Sequence, residues 1–132
     1  MLRHEWYQFV ILRRAVSGHS HCEHLGWPTT LGGLGQIVRE AGLEECGREP
    51  MDALMQLHGR KLIVLRKTHT NGLRFVTYDY DEYPDKNRFF WGEFGVYVTH
   101  EGSAYFNELE GQVHAAIQVA APIRATKIGF HT

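Results

Sequence analysis

The chain has little of what would tie it to an established chemistry. Its two cysteines, Cys22 and Cys46, are too few for a disulfide framework. It lacks a long apolar run: the stretch at residues 9–12 is far shorter than the ~20 residues that cross a bilayer. The charged first turns do not read as a signal peptide either, so no membrane partner and a cytoplasmic location are expected. Basic charge is not in excess, with 14 Lys and Arg against 15 Asp and Glu. That balance excludes a protein that coats nucleic acid through its bulk charge, and any DNA affinity must come from a local patch. Repeats and low-complexity tracts are absent as well.

Catalytic and ligand-binding signatures are equally scarce. Glycines 32, 33 and 35 lack the Lys-Ser/Thr ending of a phosphate loop, and no strand of Rossmann character leads into them. Asp79, Asp81, Glu82 and Asp85 do not have the spacing of a calcium loop and read as a solvated turn. Cys22 beside His21 and His24 imitates a thiol–imidazole pair, but sequence neighbours rarely meet in catalytic geometry. The expectation is a protein that is not an enzyme.

What is present is an ordinary globular mix, 43% hydrophobic and 22% charged, which excludes a disordered chain and suits one domain over residues 1–132. The spacing predicts a helix over 4–17, with Trp6, Phe9, Val10, Arg13 and Val16 near one stripe. A polar, turn-like stretch covers 19–27. Leu31, Leu34, Val38 and Ala41 mark a second helix, secure from Leu34 and stopped by Gly42. Pro50 opens a short third helix bearing Met51, Leu54, Met55 and His58, closed by Gly59. Residues 62–65 and 74–80 read as strands joined by a hairpin at Asn71-Gly72, both residues accepting positive φ. Residues 89–99 read as extended, and a last helix spans 100–121, capped by Thr99 and ended by Pro122.

Two helices, then ALMQLHGRKLIVLRK at 53–67 and VYVTHEGSAYFNEL at 96–109, resemble a winged helix-turn-helix domain of the bacterial transcriptional-regulator kind. The resemblance spans about residues 30–110 and includes the Thr-x-x-Gly step at Thr99 and Gly102 that starts the final helix. The turn at 43–49 and the stretch 68–93 are longer than in a simple member of that family. The resemblance implies an α+β fold: helices followed by a small antiparallel sheet, an extended wing and a C-terminal helix. It also implies binding of double-stranded DNA and transcription regulation by a homodimer.

Candidate site residues follow from that frame. On the third helix Gln56 and Arg60 point away from the core and suit base or phosphate contact, although Glu49 and Asp52 repel phosphate at the same surface. Arg60, Lys61, Arg66, Lys67 and Arg74 form a basic cluster at the helix exit and wing, with His69 and Asn71 at the hairpin. The bland alternative is a solvated hairpin whose charges discourage edge pairing. His19, His21, Cys22 and His24 are competent zinc ligands, but no second ligand pair completes them, so a polar loop is the stronger account. Phe89, Phe90 and Trp91 cannot all face one side of a strand, which makes them candidates for a protein partner on an aromatic wing. Tyr105, Phe106, Leu109, Val113, Ala116, Ile117 and Ala120 give the last helix an apolar stripe longer than one small domain needs, which suits homodimerisation.

Overall fold

The computed structural model describes residues 2–18, 26–43 and 47–128. The fold is a mixed α+β arrangement of several helices, a four-stranded antiparallel sheet and a C-terminal helix. Helix α1, Arg3–Ser17, starts where the Glu5 carboxylate accepts the Leu2 N–H at 2.8 Å. Sequence spacing suggested one apolar stripe, yet residues 7 to 12 and Ala15 are all buried. The reason is position: helices α2, Leu31–Glu40, α3, Glu49–Gly59, and α5, His100–Ile128, together with strands β1, Gly26–Thr29, and β4, Phe94–Val98, all pack on α1. A helix surrounded in this way is buried on every side over those turns, while Arg13 and Arg14 stay exposed near its end.

Strand β1 lies where the sequence suggested a turn. It is an edge strand bonded only to β4, and an edge tolerates Pro28 because a lost ladder donor can face solvent. Helix α2 begins at Leu31, three residues earlier than expected, since the Thr30 hydroxyl caps it by accepting the Gly33 N–H at 3.0 Å. Helix α3 ends at Gly59, as expected. The left-handed residue that turns the chain into the sheet is Lys61, with φ of 61°.

Strand β2, Ile63–Asn71, pairs with β3, Arg74–Asp79, and with β4, giving the order β1-β4-β2-β3. Asn71 faces Arg74, so the loop is Gly72-Leu73, and Gly72 rather than Asn71 takes the positive φ, 64°. A glycine at the first of two loop residues matches the strand twist. Ile63, Leu65 and Lys67 on β2, Phe94 and Val96 on β4 and Trp27 on β1 are buried on the face toward α1. Residues 80–93 form an insertion: a 3₁₀ turn, Tyr80–Glu82, then the single-turn helix α4, Lys86–Phe89. The expected extended run at 89–99 is therefore a strand only from Phe94, because the Asp85 carboxylate caps α4 through the Asn87 N–H and turns Phe89 inward.

Thr99 starts α5 as expected. Its hydroxyl accepts the Gly102 N–H at 3.1 Å and donates to the Lys61 carbonyl at 2.8 Å. A side chain at residue 102 would collide with the Leu62 carbonyl, which explains the glycine three residues after the cap. The helix runs on through Pro122, where an end was expected. Proline removes one intrahelical bond and bends a helix without forbidding the turns beyond it. Phe106 and Leu109 are buried, and Phe106 stacks on Phe9 of α1 at 5.5 Å; by contrast Ile117 is 51% exposed.

Candidate functional site

At about 100° per residue, the core side of α3 is fixed by Ala53, Leu54 and Leu57, all buried. The opposite side then carries Met51, Asp52, Met55 and Gln56, and none of these is a cation. Gln56 is not free for a base: its Oε1 accepts from Gln8 Nε2 at 3.0 Å, and Gln8 Oε1 accepts from the Tyr105 hydroxyl at 2.7 Å. This chain of side-chain bonds ties α3 through α1 to α5, and Gln8, only 1% exposed, is satisfied by it. Sequence reasoning missed Gln8, because a single glutamine inside an apolar helix gives no spacing signal. At the start of α3, Glu49 accepts from Arg3 Nε at 3.0 Å. The Arg3 guanidinium, followed by the Tyr7 hydroxyl, holds the Glu49 carboxyl below the usual carboxylate range.

The expected basic cluster does not gather as one free surface. Arg60 is exposed, with its guanidinium 4.5 Å over the Tyr105 ring, on the α5 side of the molecule. Lys61 is exposed beside it, and Arg74 stands at the far end of the hairpin. Arg66 is paired with Asp79 at 2.9 Å. His69 Nε2 lies 2.6 Å from the Tyr83 hydroxyl, against the insertion rather than at an open tip. Asn71 closes the hairpin ladder opposite Arg74.

Lys67 is a correction to the exposed patch. It is 7% exposed, and its ammonium donates to the main-chain carbonyls of Arg88, at 3.2 Å, Phe89, at 2.9 Å, and Trp91. Lysine alternation on β2 places it on the inner face, and the insertion then covers it. Three carbonyls at the end of α4 supply the partial negative charge that a buried ammonium needs. Burial pulls its pKa below the ordinary lysine value.

Phe89 is also a correction. It is fully buried, with ring contacts to Tyr80, Tyr83, Phe90 and Phe94 between 5.0 and 5.9 Å. Phe90 is half-buried, whereas Trp91 is 63% exposed. Two further apolar side chains are more exposed still, Leu73 at 103% and Phe75 at 78%, both on the hairpin. Sequence alternation alone could not find them, since Leu73 lies in the turn itself and Phe75 just beyond it, where in and out are set by the register.

The insertion also walls a cavity of about 570 Å³ between α2 and α3, lined by Leu31, Met51, Met55, Tyr80 and Phe90, with Arg48 as its charged side chain. His58 of α3 meets the Tyr80 ring edge-on at 5.1 Å. Among the described residues no cluster of three or more His, Cys, Asp or Glu could hold a metal ion. His19, His21, Cys22 and His24 lie outside the described residues. Among the described residues no helix is long and apolar enough to cross a membrane. No family model, curated protein or solved structure matches the chain.

Proposed function

We propose that the chain is a winged-helix interaction module that binds a protein partner through its enlarged wing, and that it is not an enzyme. The order helix, strand, helix, helix, strand, hairpin, strand supports the winged-helix reading, with α3 in the place of the recognition helix and residues 63–93 as the wing. One observation carries the choice of partner. The wing exposes Leu73, Phe75 and Trp91, whereas the outward side of α3 offers two methionines, an aspartate and a bonded glutamine. Exposed aromatic side chains such as Phe75 and Trp91 are common anchors of protein interfaces. The outermost strand, β3, adds an unpaired edge that an extended partner segment can join.

The resemblance also implies a DNA-binding transcriptional regulator, and the exposed Arg60, Lys61 and Arg74 favour that second reading. Those cations are spread over two ends of the molecule, so the protein-binding reading stands first. A homodimer through α5 fits both, since Ala115, Ala116 and Ile117 lie exposed beyond the part that α1 covers. A dimer that dissociates on Val113→Glu in sedimentation is expected; a monomer at high concentration contradicts it.

Photo-crosslinking from inside the producing cell tests the partner. A benzophenone side chain at residue 73, 75 or 91 is expected to give one discrete protein adduct that the same group at exposed Arg13 or Glu108 does not. Absence of a site-dependent protein adduct overturns the reading.

A further inference from the structure

We infer that the cavity between α2, α3 and the insertion is a binding site for a small amphipathic anion, an aryl or alkyl carboxylic acid. The volume, about 570 Å³, is in the range of pockets that enclose small organic ligands. Its lining is mostly apolar: Leu31, Leu34, Pro50, Met51 and Met55 on the helices, with Tyr80 and Phe90 from the insertion. Tyr80 and Phe90 stand 5.7 Å apart at a tilt of 36°, offering ring faces to a flat or extended apolar body. Methionines on the facing wall adapt to irregular shapes.

Charge selects the sign of the ligand. Among the described residues no acidic side chain lines the cavity, and Arg48 is the charged group that does. Arg48 is exposed, and among the described residues its guanidinium has no hydrogen-bond or ion-pair partner. A guanidinium at the mouth of an apolar chamber suits a carboxylate head whose apolar tail enters the chamber. The site is independent of the proposed wing interface, because neither Leu73, Phe75 nor Trp91 lines it.

The probes are 4-phenylbutanoate and its neutral counterpart 4-phenylbutanol, followed by calorimetry and by methyl spectra of carbon-13-labelled methionine. The sequence has three methionines, so the spectrum reports directly: signals of Met51 and Met55 are expected to move with the carboxylate and that of Met1 to stay. The carboxylate is expected to bind roughly tenfold more tightly than the alcohol, the size of one charge-assisted hydrogen bond. Arg48→Ala is expected to erase that preference, and Met55→Trp, which fills the chamber, to weaken both probes. If Met55→Trp unfolds the protein, Leu31→Trp at the half-exposed rim replaces it. Unmoved Met51 and Met55 signals, equal binding of acid and alcohol, or undiminished binding to the filled variant each overturn the inference.

Discussion

The helical body and the hairpin with its insertion solve the burial problem in different ways. Around α1 the answer is continuous apolar packing, with residues 7 to 12 buried in a row and one bridging glutamine. In the insertion it is a knot of rings about Phe89, with a buried ammonium holding three backbone carbonyls. The body leaves Leu2, Leu31 and Ile117 exposed at three different helices, whereas the hairpin and insertion keep Leu73, Phe75 and Trp91 outside. Leu73 and Phe75 are the most exposed large apolar groups among the described residues. Residues 80–93 thus add a ring cluster to the common core through Phe89 and leave Trp91 outside, beside a hairpin that exposes Leu73 and Phe75.

Removing the centre of the ring cluster is the harshest way to break this comparison. Phe89→Ala is expected to cost about 3–5 kcal/mol in denaturant unfolding. Hydrogen exchange is expected to rise in residues 63–98 while the α1 amides stay protected; an equal loss in α1 makes the two regions one cooperative unit. Lys67→Met comes next, at about 1–3 kcal/mol, because the carbonyls of Arg88, Phe89 and Trp91 lose their buried donor. Its pH dependence sharpens the point. With the folded pKa pulled below the ordinary value of 10.5, the unfolded chain binds more protons between the two values. Wild-type stability relative to Lys67→Met is therefore expected to rise as pH increases through that alkaline window, and a falling difference contradicts a desolvated ammonium.

The smallest expected effect lies in the body, at the exposed pair of Arg3 and Glu49. The folded pKa of Glu49 is lowered, so its contribution is present above the ordinary carboxylate value of 4.5 and is lost as pH falls through the folded value. Acid unfolding curves of wild type and Glu49→Gln are expected to converge at low pH and to differ slightly at neutral pH. A difference that grows toward acid reverses the assignment.

Much of the body was legible because its signals are local. Pro50 at the first turn of α3, Gly42 after α2 and the Thr99 cap each act within a few residues, and all appear where the sequence put them. Gly72 was read in the right turn but with the wrong partner, since one residue of register decides whether Asn71 or Leu73 shares the loop. The insertion was not legible. A basic residue on a strand looks solvated until something folds over it, and the cover on Lys67 comes from residues more than twenty positions away. Phe89, Phe90 and Trp91 had to split between inside and outside, but only the turn of α4 decides which goes where. Arg60 and Arg66 looked like members of one patch, but Tyr105 and Asp79 hold them on separate surfaces.

On the proposed reading the wing grips a protein and the outward side of α3 does not read a DNA groove. Fluorescence anisotropy of a labelled mixed-sequence duplex, titrated with wild-type protein at low and then physiological salt, tests it most directly. Weak or no binding is expected at low salt, with no change on replacing Arg60 and Lys61 with alanine. Affinity that falls steeply and log-linearly with salt, and that drops on those replacements, marks released phosphate counterions and contradicts it.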